Sequence, residues 1–263
     1  AALCVKSGNV AILKGGSEAI ETNKVLFKCI RKALQKIILP KEVANFIVDG
    51  DRSITNNLLK QSKYIDLVIA RGGYDLVKYI QNNSTIPVLA HSAGGARIYI
   101  DKSADLDMAT EIIVNAKVSK PSACNSVDTV LVHKVISSRL IPLITKALQA
   151  KGVCVYTQGV DWNIEYLDLT IGIKVVSNIG EAIRFINTYG KGHSEGIIAK
   201  DEHIIKQFTQ SINSAGIFIN CSTRFHDGYE FGFGAEMGIS TGKLHARGPV
   251  GLKELTTYKW EIY

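Results

Sequence analysis

Short apolar segments alternate with helical patterns along the first part of the chain. Segments with the length and composition of buried strands lie at residues 10–13, 45–48, 65–70, 87–90 and 98–100. Between the first two, apolar side chains from Leu26 to Ile37 recur at helical spacing, and Pro40 ends the pattern. A further helix is predicted between Gly73 and Gln81. Continuous apolar strands separated by helices indicate a parallel sheet covered on both faces, which is an α/β fold.

The alternation continues in the second part of the chain. Its predicted elements are a helix over 104–116, a loop over 119–126, a strand over 129–132 and a helix over 140–150. Residues 221–251 are rich in glycine and in polar and aromatic residues, a composition that predicts a long ordered segment lining a site. Residues 255–263 are predicted to form a strand.

Composition narrows the class of protein. The 263 residues are 46% apolar and 21% charged, which is typical of a globular domain, and no apolar run is long enough to predict a transmembrane helix. The net charge of +7 is scattered, so it fits an anionic substrate and cofactor as well as nucleic acid. Five cysteines without a C-x-x-C pair argue against disulfides and a metal site, and they indicate a reducing cytoplasm.

Candidate chemical groups lie near the predicted strand ends, where parallel sheets bind ligands. Cys124, in Pro121-Ser-Ala-Cys-Asn125, could lie near backbone N–H groups that lower the pKa of its thiol and bind an oxyanion, or it could be a buried structural cysteine. His91 could be a general base or a structural histidine. The turn Lys14-Gly-Gly-Ser17 suits a phosphate or ribose hydroxyls, or it is an ordinary tight turn.

Two further sets of polar residues are candidates. Glu165 could bind a pair of ribose hydroxyls, or it could be an ordinary surface residue. The glycine-rich segment carries Asn220, Ser222, Thr223, Arg224, Asp227, Glu236, His245 and Arg247. Hydroxyl groups beside an arginine suit a carboxylate or a phosphate, whereas a loop bonded to itself is the alternative.

Longer strings are more specific. The string FINCSTRFHDGYEFGFGAEMGISTGKLHARGPVGLKELTTYKW (218–260) resembles the C-terminal signature of the glutamate-5-semialdehyde dehydrogenases, also called gamma-glutamyl phosphate reductases. PSACNSVDTVLVH (121–133) resembles the catalytic loop of that family. SGNVAILKGGSEAIETN, DLVIARGG, IPVLAH and EYLDLTIGIKVV follow in the family's order. The resemblance covers essentially the whole chain and corresponds to the C-terminal two-thirds of the family.

The resemblance implies an aldehyde dehydrogenase-like α/β fold. Residues 1–101 would form part of a Rossmann-like cofactor-binding domain, residues 102–250 a catalytic domain with the nucleophilic cysteine, and residues 251–263 a strand of an oligomerisation sheet. It also implies a cytoplasmic homo-oligomer that binds NADP and a small-molecule substrate, with neither nucleic acid nor membrane as a partner.

The family reaction is the NADPH-dependent reduction of L-glutamyl 5-phosphate to L-glutamate 5-semialdehyde and phosphate in proline biosynthesis. By resemblance, Cys124 attacks the acyl phosphate and carries a thioester, which hydride from NADPH then reduces. The positions that would bind the cofactor are Lys14, Gly72, Gly73, His91 and Glu165. Those that would bind the substrate are Ser222, Thr223, Arg224 and Asp227.

The chain departs from the family pattern in several places. Ala93-Gly-Gly-Ala-Arg97 replaces a pattern close to D-G-I-C-H, Lys120 replaces an aromatic residue, and Ala70 replaces a proline. Family chains extend upstream of the segment that resembles Ala1, and the opening residues read like the middle of a longer chain, so we expect the isolated chain to be inactive or weakly active.

Other functions stay open at this point. A truncated, non-catalytic homologue that acts as a binding or regulatory partner is the main alternative. A different thiol-dependent enzyme, such as an acylating aldehyde dehydrogenase, is another. A nucleic-acid-binding module is least favoured, because no segment resembles a groove-reading element.

Overall fold

The computed structural model of the chain describes residues 1–90 and 94–263. Its α-helices are α1 (Ala2–Lys6), α2 (Ile20–Lys36), α3 (Arg52–Leu58), α4 (Tyr74–Asn83), α5 (Leu106–Val118), α6 (Lys134–Gln149), α7 (Ile179–Tyr189) and α8 (Glu202–Ser211). Its strands are β1 (Ala11–Lys14), β2 (Ala44–Ile47), β3 (Val68–Ala70), β4 (Val88–Ala90), β5 (Ala96–Ile100), β6 (Val127–His133), β7 (Cys154–Tyr156), β8 (Thr170–Val176), β9 (Ser194–Ile198), β10 (Gly216–Ile219), β11 (Ile239–Ser240) and β12 (Gly248–Pro249).

A parallel sheet of six strands forms the main core. Its strand order is β10-β9-β5-β6-β8-β7. Successive residues of β5 face opposite sides: Ile98 and Ile100 join a core with α5 and α6, whereas Tyr99 joins a second core with α7 and α8. The predicted parallel sheet with two covered faces is therefore confirmed.

The smaller strands form separate pairs. β1 pairs with β2 and β3 pairs with β4, each in parallel, and β11 pairs with β12 in antiparallel fashion. The strands predicted in the first part of the chain are all present, although β3 begins at Val68 rather than at residue 65. The residues before it belong to a turn, in which the Ile65 amide donates to the carbonyl of Gln61 over 2.9 Å.

Aspartate and asparagine side chains begin several of the helices. Asp105, Asn178 and Asp201 accept hydrogen bonds from first-turn amides of α5, α7 and α8. His133 does the same for α6, where its Nδ1 accepts from the amide of Val135 over 3.1 Å. The helix predicted over 140–150 therefore begins at Lys134, directly after β6.

Strand pairing bears on two of the predicted boundaries. Strand β5, which lies within the predicted cofactor-binding segment 1–101, pairs with β6 and β9 of the large sheet. The division after residue 101 stays a prediction, and the strand pairing would move it ahead of Ala96. The strand predicted over residues 255–263 is not formed in this single chain: the residues after Leu255 are described without regular structure. A strand requires a hydrogen-bonded neighbour, and its place in an oligomerisation sheet stays a prediction.

The β3–β4 pair and the six-stranded sheet contribute opposite strand ends to the same region. The turn 71–73 follows the carboxyl end of β3, whereas the loop 119–126 leads into the amino end of β6. Hydrogen bonds from Arg71 to the Met237 carbonyl, and between Asn125 and the residues Thr223 and His226, connect both places to the segment 221–251. Among the helices of residues 1–90 and 94–263, none combines the length and the hydropathy needed to cross a membrane.

Candidate active site

The loop that carries Cys124 is held against the segment before β5. Within the loop, the amide of Ala123 donates to the carbonyl of Lys120 and that of Ser126 donates to the carbonyl of Ala123, which makes two successive turns. Across the gap, the Gly95 amide donates to the Cys124 carbonyl over 2.7 Å. The backbone on the carbonyl side of the cysteine is therefore fixed.

Gly94 allows this loop to approach Glu165. A Cβ atom at Gly94 would lie 2.5 Å from both the Cβ and the carbonyl oxygen of Cys124, and 2.6 Å from Oε1 of Glu165. Any side chain at this position would separate the cysteine from the carboxylate. The Glu165 carboxylate also accepts a hydrogen bond from the Gly94 amide.

The charge balance at Cys124 opposes the thiolate. Partial burial of the thiol is the largest cause, and the carboxylates of Glu165 and Glu236 add to it, so that together they raise the pKa of Cys124 to about 11. Its own backbone amide and the charge of Arg71 oppose this shift. The backbone amide lowers this pKa, as expected, but burial outweighs it and the net shift is upward. At neutral pH the thiol carries its proton.

The segment after β10 is hydrogen-bonded to Asn125, the residue that follows Cys124. Thr223 is completely buried, and its hydroxyl donates to the Asn125 carbonyl over 2.7 Å. The side-chain amide of Asn125 donates to the His226 carbonyl over 2.9 Å. Ser222 is also buried, and its hydroxyl accepts from the Arg224 amide over 3.3 Å. The hydroxyls predicted to contact the substrate are thus bonded within the protein, and their contact with a substrate stays a prediction.

Charged residues of the same segment lie nearer the surface. Arg224 and Asp227 are half-buried. Glu236 is half-buried as well, and its Oε2 accepts from the Gly228 amide over 3.0 Å. Burial raises the pKa of Glu236, and the charge of Asp227 raises it further, while the Gly228 amide and the arginines Arg71 and Arg224 oppose the shift.

Arg71 connects the carboxyl end of β3 to this segment. Its guanidinium donates to the carbonyl of Met237. A Cβ at Gly238 would collide with that guanidinium, so the glycine leaves room for the contact. The arginine thus lies between the turn that was predicted to bind the cofactor and the acids that face Cys124.

A set of buried charged residues lies next to the Cys124 loop. Arg97 is 1% exposed, and its Nη1 donates to the Gly95 carbonyl over 3.1 Å. Its backbone amide donates to Glu195, over 3.1 Å, and complete burial raises the pKa of this carboxyl to about 8 against the opposing charge of Arg97. Lys117 donates to Asp128 over 3.2 Å, and burial raises the pKa of that carboxyl to about 6 although Lys117 lowers it.

The turn after β3 has features that fit a dinucleotide phosphate. Gly72 has a left-handed backbone with a φ of +155°, and a Cβ there would lie 2.7 Å from a methyl carbon of Leu76. As described in the structure, Gly73 caps α4 through its backbone, without a side-chain cap. Within the described residues no side chain caps the first amides of the helix, an arrangement that suits an anion. With the half-buried Glu165 carboxylate beside Cys124, the residues present fit a nicotinamide dinucleotide.

Apart from Gly72 and Gly73 in the turn after β3, most of the predicted residues lie around the Cys124 loop. Cys124 and Glu165 meet at Gly94, and the segment of Ser222, Thr223, Arg224 and Asp227 is bonded to the same loop through Thr223 and the His226 carbonyl, both of which contact Asn125. Lys14 is the last residue of β1 and lies near Asp51. Hydrogen bonds from Ser53 lower the pKa of Asp51, and the charge of Lys14 adds to this shift. His91 lies outside the described residues.

Sequence reasoning did not assign roles to Gly94, Arg71, Glu236 or Asn125. Arg71 and Asn125 each adjoin a residue that was predicted, and Glu236 stands among the polar residues of the glycine-rich segment. Their roles depend on contacts between distant parts of the chain, which no local pattern records. Within the described residues, no group of three or more His, Cys, Asp or Glu side chains could hold a metal ion.

Comparison with known proteins gives consistent results. The family model described as "Aldehyde dehydrogenase family" matches residues 1–154. Proteins named gamma-glutamyl phosphate reductase from Clostridium beijerinckii and Caldanaerobacter subterraneus are 44% and 46% identical over all of this chain, which covers 67% of each. The crystal structure of gamma-glutamyl phosphate reductase from Thermotoga maritima is 44% identical with a TM-score of 0.93, over 98% of this chain and 66% of that one. An acetylating aldehyde dehydrogenase from Geobacillus thermoglucosidasius, at 19% identity and a TM-score of 0.77 over 99% of this chain and 71% of that one, shares the fold.

Proposed function

This chain belongs to the aldehyde dehydrogenase family and, within it, to the gamma-glutamyl phosphate reductases, and from that membership we propose that it reduces L-glutamyl 5-phosphate to L-glutamate 5-semialdehyde and phosphate with NADPH. The reaction would serve proline biosynthesis in the cytoplasm, in a homo-oligomer. The chain spans about two thirds of the length of these relatives. The observation that carries the proposal is the placement of Cys124 between the Gly94–Glu165 contact and the charged segment 222–236.

The first step is acyl transfer to sulfur. The Cys124 sulfur forms a bond to the acyl carbon, the bond from that carbon to the phosphate oxygen breaks, and inorganic phosphate leaves. The thiol proton passes to the Glu236 carboxylate, whose raised pKa makes it a better proton acceptor than an ordinary surface glutamate. Because an acyl phosphate has a good leaving group, the thiol needs only this modest assistance.

The second step releases the aldehyde from sulfur. A nicotinamide cofactor, when bound, supplies the hydride that reduces the thioester. Lys14 and the turn Gly72-Gly73 would hold its adenosine ribose and phosphates, and Glu165 would hold the nicotinamide ribose. Departure of the aldehyde leaves the Cys124 thiolate, which recovers its proton from Glu236, because the pKa of the buried thiol is about 11.

Charge complementarity supports an amino-acid substrate. Besides its acyl phosphate, glutamyl phosphate carries an α-carboxylate and an α-ammonium group. Arg224 and Asp227 are half-buried charges of opposite sign on one segment beside the Cys124 loop. We assign the carboxylate to Arg224 and the ammonium to Asp227, with Ser222 and Thr223 completing the same segment.

The covalent step is tested in the reverse direction. The chain is incubated with L-glutamate 5-semialdehyde and NADP⁺ without phosphate for long enough to detect a single turnover, because the chain alone is expected to be weakly active at most, and its cysteine peptides are examined by mass spectrometry. We expect a glutamyl adduct on the Cys124 peptide that added phosphate removes. Cys124→Ser should abolish the adduct, whereas Cys154→Ser, at an exposed cysteine of β7, should keep it.

Each other outcome would contradict the proposal. An adduct that coenzyme A removes and phosphate does not would indicate an acylating aldehyde dehydrogenase. The absence of any adduct on Cys124, with NADP⁺ bound, would indicate a non-catalytic homologue.

A further inference from the structure

The residue after the nucleophile is bonded to the glycine-rich segment from both its main chain and its side chain. The Thr223 hydroxyl donates to the Asn125 carbonyl, and the Asn125 side-chain amide donates to the His226 carbonyl. The residues involved are separated by 98 and 101 positions in the sequence. We call these two bonds the clamp, and together they define the position and the orientation of Asn125.

Burial makes these bonds strong determinants of structure. Thr223 and His226 are fully buried and Asn125 is 3% exposed. If one partner of a buried hydrogen bond is removed, no water can take its place and the other partner stays unsatisfied. The loss in stability is therefore larger than for an exposed hydrogen bond, where water replaces the missing partner. The loop therefore has few alternative positions of similar free energy.

The anchor itself is held from the large sheet. The Ser194 hydroxyl, at the amino end of β9, lies 2.8 Å from Nδ1 of His226 and 2.7 Å from Nδ1 of His193. Burial lowers the pKa of His226 to about 4, so its ring is neutral at physiological pH and keeps this bond. The His226 carbonyl is thus attached to β9, which lies two strands from β6 in the large sheet.

These contacts restrain Cys124 from its carbonyl side. On its own carbonyl, Gly95 donates a hydrogen bond, and on the next residue Thr223 and His226 hold Asn125. The thiol therefore has a fixed place relative to Glu165 and Glu236. A small displacement of a reacting group is enough to lower a rate by about 100-fold.

We infer that Thr223 and Asn125 are positioning residues, which hold Cys124 in the half-buried place where it reacts. This inference rests on the proposed role of Cys124 as the nucleophile. It assigns to the Thr223 hydroxyl a role inside the protein rather than on the substrate.

Two measurements with opposite expected signs test the inference in Thr223→Val, a substitution of nearly equal volume that removes the hydroxyl. The pH midpoint of Cys124 alkylation by iodoacetamide should move down from about 11 toward the ordinary value near 9, because a released loop hydrates the thiol and moves it away from the two carboxylates. Formation of the glutamyl adduct should slow by about 100-fold. Thr223→Ser should restore both properties.

Thr110→Val is the matched control. The Thr110 hydroxyl donates to a backbone carbonyl over 2.8 Å, as the Thr223 hydroxyl does, but within α5. It should leave the alkylation profile and the adduct rate unchanged. If Thr223→Val does not fold, Asn125→Ala tests the second bond with the same two readouts.

Unchanged alkylation and adduct formation in both variants, or a Thr223→Ser chain that behaves like Thr223→Val, would overturn the inference. The alkylation profile needs no substrate, so the two proposals can fail separately. Adduct formation without any effect of the clamp would contradict only the positioning role. A clamp effect on alkylation without adduct formation would contradict the catalytic role.

Discussion

At the scale of single residues, the site depends on what is missing as well as on what is present. Gly94 lacks the side chain that would separate Cys124 from Glu165. Lys117 brings positive charge into the interior, where Asp128 pairs with it, and the buried Arg97 donates its backbone amide to Glu195. Isolated residues of these types do not predict such roles. A lone cysteine or lysine in a sequence is equally typical of a core or a surface, and only the neighbours supplied by the fold distinguish them.

Gly94→Ala should lower stability. The new Cβ would lie 2.5 Å from the Cys124 carbonyl oxygen, so backbone has to move, and we expect a loss of about 1–3 kcal/mol in the free energy of unfolding. Urea denaturation measures this loss. As a control, a Cβ at Gly50 would lie 3.8 Å from Ser17, so Gly50→Ala should change stability by no more than about 0.5 kcal/mol. Equal effects of the two substitutions would contradict the predicted close approach.

At the scale of elements, the local apolar pattern predicted where strands form but not which strands pair. The apolar runs predicted β1, β2, β4 and β6 to within about two residues, because a buried strand needs continuous apolar side chains. The partners of β5 were not predictable. It pairs with β6 and with the distant β9, and a short apolar run does not specify its neighbour. The recognised strings supplied the candidate residues, whereas the clamp through Asn125 required the folded chain.

The contact between β5 and β9 should make stability depend on pH. Complete burial raises the pKa of Glu195 from 4.5 to about 8, so folding favours its protonated form. Its contribution is fully present below pH 4.5, and it is lost as the pH rises toward 8, by an amount on the order of a few kcal/mol.

Urea denaturation across this pH range measures the effect. Glu195→Gln, which cannot ionise, should flatten the decline, whereas Glu111→Gln on the exposed side of α5 should not alter it. A decline of equal slope in Glu195→Gln would show that other groups cause it.

At the scale of the whole molecule, the site lies between the carboxyl end of β3, in the β3–β4 pair, and the amino end of β6, in the six-stranded sheet. Arg71 extends from the end of β3 to the Met237 carbonyl, across 166 positions of sequence. Its positive charge favours the Cys124 thiolate, and the carboxylates of Glu165 and Glu236 oppose it. The part of the chain before β5 thus influences a nucleophile that the large sheet carries.

Arg71→Met should therefore make Cys124 less reactive. Loss of the positive charge raises the thiol pKa further, so alkylation by iodoacetamide at pH 8 should slow several-fold. Glu165→Gln removes a negative charge from the same thiol and should speed alkylation. Arg139→Met, on the exposed side of α6, should have no effect. Faster alkylation in Arg71→Met would show that the arginine shields the thiol more than it stabilises the thiolate.

The long bonds around Cys124 also determine when the site can form during folding. Thr223 and His226 reach Asn125 across 98 and 101 positions, and Arg97 reaches Glu195 across 98. Closing such long loops lowers the entropy of the chain before the contacts between the loop ends can stabilise it. These contacts therefore form late in a slow folding reaction. Cys124 will thus stay an ordinary exposed thiol on the nascent chain until β9 and the segment after β10 have been synthesised, and during that interval it is open to oxidation.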